Sequence, residues 1–182
     1  MRCLQLCLRH VSRGGHVLDL PCGTGRLIPH LIEAGFEVTA ADSSPRMLER
    51  AEALWQDRLG RRVQFTVREA LDTGYAADTF DGVVCHRLLH HFNEPALRVA
   101  VLKELSEICR GPLIISYFNS FALDALKFRL KHTLRGSSPD DRVPISTATF
   151  DSELTAAGLQ VIERRPVLWG LSPMWFLVVG RP

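Results

Sequence analysis

The chain has 182 residues, 46% of them hydrophobic and 23% charged, which is enough apolar sequence to bury a sizeable core. A formal net charge of +2 is too small to indicate a nucleic-acid partner. The five cysteines are scattered, and the first fifteen residues carry charges. We therefore expect no zinc site, signal peptide or membrane span, and a reducing, cytoplasmic setting.

Short apolar runs alternate with helical stretches, which is the pattern of a parallel sheet covered by helices on both faces. After a short N-terminal helix, the pattern predicts strands at 16–20, 37–41, 62–67, 80–85 and 113–117, and helices at 25–34, 45–59 and 94–109. Asn93 is expected to cap the last of these helices.

The final third of the chain is predicted to contain a helix over 121–135, an exposed loop over 136–144 and a helix starting at Ser146. Two strands follow, at 159–166 and 174–180. A short turn joins them, so one of the pair should run antiparallel to the rest of the sheet. We expect a single domain over 1–182.

The turn after the first strand has the composition of a ligand-binding loop. The strand ends at Asp19, and Pro21-Cys22-Gly23-Thr24-Gly25 precedes a helix, at the sheet edge where doubly wound folds bind ligands. Glycines there let the backbone approach a ligand closely, although a plain strand-to-helix turn uses them too. Ile28 replaces the third glycine of a dinucleotide fingerprint, which disfavours a nucleotide-dependent oxidoreductase.

Asp42 ends the second strand, where an ionised carboxylate can accept both hydrogen bonds of a ribose diol. The alternative is a helix cap, because Ser43-Ser44-Pro45 follows directly.

The segments VLDLPCGTG at 17–25 and VTAAD at 38–42 together resemble the class I S-adenosylmethionine-dependent methyltransferase family, in particular its broad small-molecule group. Pro21 departs from the family motif by replacing its first glycine. The resemblance spans nearly the whole chain and implies an α/β, Rossmann-like, doubly wound seven-stranded sheet with S-adenosylmethionine as cofactor. It also implies that the cofactor's amino acid end is held by the loop and its ribose by Asp42, the loop residues being Asp19, Cys22, Gly23, Thr24 and Gly25.

The same resemblance places Glu69 and Ala70 near the adenine, although a surface glutamate beside a core alanine is an equal alternative. It places His86, after the fourth strand, against both cofactor and acceptor, where an imidazole can act as a base or an orienting group. Tyr117 and Asn119 are weaker candidates at the same rim.

His86 and His90 are four residues apart, the spacing that would place them on one face of a helix and raises the possibility of a metal site. We expect no metal, because no third ligand has a matching spacing. A packed His90 and a solvated His91 are the favoured alternatives.

The segment 121–136 reads as a basic amphipathic helix inside a possible lid insertion at 119–145. In the family such an insertion commonly covers the acceptor. Contact with a membrane surface is an alternative, less favoured than a solvated helix face packed on the sheet.

The main hypothesis is therefore S-adenosylmethionine-dependent methyl transfer to a small-molecule acceptor, at oxygen, nitrogen or carbon. A non-catalytic cofactor-binding protein, from a truncated methyltransferase, is the alternative, because only about fifteen residues precede the first strand.

Overall fold

The computed structural model describes residues 2–59, 62–120, 143–168 and 172–182. In chain order the elements are α1 (Arg2–Cys7), β1 (His16–Asp19), α2 (Ile28–Glu33), β2 (Glu37–Asp42), α3 (Pro45–Leu59), β3 (Val63–Val67), β4 (Gly82–Cys85), α4 (Pro95–Glu107), β5 (Leu113–Phe118), α5 (Thr147–Ala156), β6 (Gln160–Pro166) and β7 (Met174–Gly180). Short 3₁₀ turns lie at Leu8–His10 and Leu89–His91.

The strands form one sheet in the order β3-β2-β1-β4-β5-β7-β6. Strands β1 to β5 pair in parallel, and β7 runs antiparallel to both of its neighbours. The predicted fold class is thereby confirmed. Because the chain moves outward from β1 to β3 and then returns to place β4 on the other side of β1, a crevice opens between the carboxyl ends of β1 and β4.

The central strands are buried on both faces, which explains why they are continuous apolar runs. Val17 and Val84 point to the face covered by α1 and α2, whereas Leu18 and Val83 point to the face covered by α4 and α5. The sheet is thus held from both sides, and its carboxyl edge is a fixed platform for loops.

The predicted strand boundaries agree with the structure to within two residues. The second helix begins at Ile28 and not at Gly25, because Gly25 has a φ of +74°, which no right-handed helix contains. The prediction that Asn93 caps α4 was wrong. Glu94 holds the cap position with extended backbone and makes no side-chain cap bond.

No helix in the described ranges is long and apolar enough to cross a membrane. The predicted basic helix over 121–136, and the lid insertion at 119–145 except for its ends, lie outside the described residues. The single domain over 1–182 stays a prediction.

Candidate functional site

The crevice at the carboxyl edge of the sheet has a volume of about 840 Å³, which is within the range of small-molecule sites. The turn after β1, the end of β2, the residues after β4 and the start of β7 all contribute to it. Its lining comprises Pro21, Cys22, Gly23, Thr24, Arg26, Leu27, His30, Asp42, Met47, Trp55, His86, Arg87, His91 and Met174. The structure thus brings together most of the predicted site residues.

The carboxylate of Asp42 fixes the shape of the glycine turn. Its Oδ2 accepts the backbone N–H of Gly23 at 2.8 Å, and its Oδ1 accepts the backbone N–H of Ser44 at 2.9 Å. The backbone N–H of Cys22 donates to the carbonyl of Ala41 at 2.8 Å. The turn is therefore tied to the end of β2 at two points, and Asp42 both holds the start of α3 and faces the crevice.

The two glycines of the turn serve different purposes. Both have a left-handed φ, +55° at Gly23 and +74° at Gly25. A Cβ on Gly23 would meet nothing within 4 Å, so this side of the turn is open to a ligand. A Cβ on Gly25 would lie 2.7 Å from Ile28 and Trp55. Gly23 therefore leaves space beside the crevice, whereas Gly25 allows α2 and α3 to pack against the turn.

Asp19 is fully buried at the end of β1, and neither carboxylate oxygen has a hydrogen-bond partner among the described residues. Burial, and secondly the negative charge of Asp42, raise the pKa of the Asp19 carboxyl from 3.8 to about 8. At neutral pH this side chain is mostly protonated, because burial and the charge of Asp42 both disfavour its ionised form.

His86 follows β4 directly and lines the crevice. Its Nδ1 lies 2.9 Å from Oγ of Ser116 on β5, and its ring stacks on Phe176 of β7 with centroids 5.1 Å apart. Burial, then the charges of Arg87 and Arg26, lower the pKa of His86 from 6.5 to about 4. The imidazole is therefore neutral at physiological pH.

Six of the predicted residues lie outside the crevice lining, one of them Gly25, which packs against Ile28 and Trp55. Glu69 is exposed after β3, and Ala70 is buried in the core. Asp19 lies behind the turn. Tyr117 and Asn119 bond to each other, Asn119 Nδ2 to Tyr117 Oη at 3.0 Å, and both are buried away from the crevice. Their contacts are those of core residues.

The histidines do not share a helix face, because His86 precedes the 3₁₀ turn that contains His90 and His91. His90 is buried and stacks on Phe118, with ring centroids 4.2 Å apart, while His91 is exposed at the crevice rim. Within the described ranges, no three His, Cys, Asp or Glu side chains converge as metal ligands would.

Sequence reasoning missed the contributions of α3 and of two arginines. Met47 and Trp55 reach the crevice from α3, and the Trp55 indole donates to the carbonyl of Thr24 at 3.2 Å. Their spacing of eight residues on one helix was a usable signal. Arg26 and Arg87 had no such signal, because an isolated arginine in a loop is usually solvated.

This fold and this crevice define a class, the Rossmann-like proteins that bind a cofactor at the point where strand order reverses. A family model described as a methyltransferase domain matches residues 17–111, more than half of the chain. The chain therefore belongs to this methyltransferase family, the class I S-adenosylmethionine-dependent methyltransferases. The family and the cofactor predicted from the sequence are confirmed.

Similar proteins include the mitochondrial ubiquinone biosynthesis O-methyltransferase of Schizosaccharomyces pombe, 29% identical over 81% of this chain and 53% of the relative. A glycine/sarcosine N-methyltransferase of Aphanothece halophytica is 34% identical over 64% of this chain and 45% of the relative. The chain thus spans about half the length of these curated relatives. The structure of magnesium protoporphyrin IX methyltransferase from Synechocystis, with bound S-adenosylhomocysteine, superposes with a TM-score of 0.78 at 22% identity, covering 93% of this chain and 75% of that one.

Alanine substitutions at the two turn glycines should distinguish the glycine that leaves room for a ligand from the glycine that allows the helices to pack. Gly23→Ala places a methyl group in the space left for the ligand, so we expect a clear loss of S-adenosylhomocysteine affinity. Its left-handed φ should lower the unfolding free energy by only about 1 kcal/mol. Gly25→Ala adds a clash with Trp55, so we expect a loss of about 2–4 kcal/mol in unfolding free energy. Urea denaturation and calorimetry measure the two quantities. Equal destabilisation by both variants would contradict the distinction.

The buried Asp19 should make unfolding free energy pH-dependent. Because its folded pKa is about 8 and its ordinary value is 3.8, the unfolded chain releases this proton first, and stability falls as pH rises from about 4 to 8. In the original protein the unfolding free energy should fall by on the order of a few kcal/mol between pH 5 and 9, and Asp19→Asn should remove this fall. Urea denaturation at both pH values measures it. The exposed Asp57→Asn is the matched control, and an unchanged slope in Asp19→Asn would refute the assignment.

Proposed function

We propose that this chain binds S-adenosylmethionine in the crevice and transfers its methyl group to a small-molecule acceptor. The observation that carries the proposal is the open face of Gly23 next to the carboxylate of Asp42. An open backbone turn beside an acceptor of hydrogen bonds is what an amino acid linked to a ribose requires.

The residues divide between the two ends of this cofactor. Cys22, Gly23 and Thr24 would hold the amino acid end, and Asp42 the ribose diol. Each oxygen of Asp42 accepts one backbone N–H and keeps a second lone pair, so the diol can bind without breaking the turn. Glu69 and Ala70 follow β3, next to β2, and their proposed contact with the adenine needs the exposed Glu69 side chain to turn inward.

When bound, S-adenosylmethionine would supply a methyl group on a sulfonium: an acceptor lone pair attacks the methyl carbon in line, and the sulfur leaves with the electrons of the carbon–sulfur bond. The protein's own task is to hold the acceptor in line and to exclude water. Gly23 and Asp42 would fix one reactant at β1 and β2. His86, Arg87 and Met174 are placed to contact the other at β4 and β7.

The tautomer of His86 favours an orienting role over that of a base. Ser116 Oγ accepts the backbone N–H of Arg87 at 2.9 Å, and we assign its hydroxyl hydrogen to a bond with Nδ1 of His86. The ring proton then sits on Nε2, where it can donate to an acceptor oxygen or nitrogen. With a pKa of about 4, the ring takes up a proton poorly at neutral pH.

The relatives support a small acceptor without selecting its atom. One is named as an O-methyltransferase and another as an N-methyltransferase. We therefore assign the acceptor as a small molecule that presents an oxygen or nitrogen lone pair to the crevice.

Calorimetric titration with S-adenosylmethionine, S-adenosylhomocysteine and reduced nicotinamide dinucleotide tests the cofactor proposal. We expect both sulfur compounds to bind and the dinucleotide not to bind. Asp42→Asn should weaken binding by about tenfold or more, because an amide offers one acceptor oxygen where the carboxylate offers two.

Glu49→Gln, an exposed charge change on α3, is the control for Asp42→Asn, and thermal unfolding identifies loss of fold. Glu69→Gln in the same series tests the adenine contact. Binding of the dinucleotide alone would refute the proposal. Cofactor binding with no methyl transfer to any of a broad acceptor panel would favour the non-catalytic alternative.

The assigned state of His86 is measurable without knowing the acceptor. Nitrogen-15 NMR should show a neutral ring with its proton on Nε2 from pH 8 to pH 5, because the pKa lies near 4. Ser116→Ala should weaken the preference for this tautomer. A measured pKa of His86 near 6.5 would instead support a role as a general base.

A further inference from the structure

Two arginine side chains line the crevice, one in the glycine turn and one after β4. Arg87 follows His86 at the end of β4, and Arg26 follows Gly25 in the turn. Arg87 adopts a left-handed φ of +64°, unusual for a residue with a Cβ, and its N–H donation to Ser116 Oγ holds it there. A strained backbone at a site lining is an observation that calls for a functional reason.

The charges of these arginines are not neutralised by the described part of the chain. Five other arginines pair with carboxylates, namely Arg98, Arg110, Arg164, Arg165 and Arg181. Neither Arg26 nor Arg87 has a carboxylate within 4.0 Å among the described residues. Their charges both contribute to the lowered pKa of His86, so their fields reach the centre of the crevice.

The crevice offers little negative charge in return. Asp42 is the acidic side chain of its described lining, and it lies at the β2 end with both oxygens already accepting backbone N–H groups. A cofactor bearing a sulfonium, an ammonium and one carboxylate adds a net positive charge. Arg26 lies in the turn assigned to the amino acid end, so we assign that carboxylate to Arg26. Arg87 is then left facing the acceptor.

We propose that the acceptor carries an anionic oxygen group, a carboxylate or its chemical equivalent, and that Arg87 binds this group while His86 orients the atom to be methylated. The inference rests on the proposed function, because it needs the cofactor at the turn. A planar guanidinium binds a carboxylate through two parallel hydrogen bonds, which fix orientation as well as position. Arg87 would thus determine acceptor specificity.

The test compares 3,4-dihydroxybenzoate with 3,4-dihydroxybenzamide, which differ in charge and hardly in shape. Calorimetry with the protein saturated in S-adenosylhomocysteine should show the acid binding about tenfold or more tightly than the amide. Raising the salt from about 0.05 to 0.5 M should narrow this ratio. Arg87→Gln should bring it close to one, whereas Arg50→Gln, an exposed arginine of α3, should leave it unchanged.

Three results would overturn the proposal: equal affinities of acid and amide, no binding of either up to about 20 mM, or a ratio that survives in Arg87→Gln. Arg87→Asn, which tolerates a left-handed φ, serves if the glutamine variant fails to fold. S-adenosylhomocysteine affinity is measured first in every protein. If S-adenosylhomocysteine does not bind, the proposed function fails. If it binds but the protein shows no preference for the acid over the amide, the proposal for Arg87 fails.

Discussion

The carboxylate of Asp42 receives two backbone N–H groups, from Gly23 across the crevice and from Ser44 at the start of α3. Charge-assisted bonds of this kind are among the stronger ones available to a turn. They join β1, β2 and α3 at one point, so the open face of Gly23 and the indole of Trp55 are placed by the same group. Ser44 and not Asp42 makes the side-chain contact with the first turn of α3, since Met47 N–H donates to Ser44 Oγ at 3.4 Å.

Asp19 shows the cost of this arrangement. It lies beneath the same turn with no hydrogen-bond partner, and the charge of Asp42 adds to its burial in disfavouring ionisation. A buried carboxyl whose pKa is raised in this way lowers the unfolding free energy at alkaline pH. A cationic ligand above the turn would reverse that preference, because a nearby positive charge favours the ionised form. Residues that weaken a free protein in this way are concentrated at binding sites.

The fold was predictable because the strands are long apolar runs and the turns carry glycine or proline. The geometry of the glycine turn was predictable for a related reason: Gly23, Gly25 and Asp42 lie at strand ends and tight turns, which leave a local pattern in the sequence. Trp55 and Arg87 act through tertiary position, and nothing near them in sequence indicates the direction of their side chains. Asn93 is not the cap because the backbone changes from extended to helical at Glu94, one residue later. Residue composition does not determine the position of that change.

The acceptor half depends on Ser116 in the way the cofactor half depends on Asp42. One hydroxyl on β5 accepts the backbone N–H of Arg87 in its left-handed turn and lies within hydrogen-bond distance of His86 Nδ1. The two groups proposed to face the acceptor are therefore held by one atom, which the acceptor need not touch. Its position in a buried parallel strand gives it a rigid support. Such a residue influences specificity through the geometry of its neighbours, so related chains with other acceptors would be expected to differ at this strand end as much as at the lining itself.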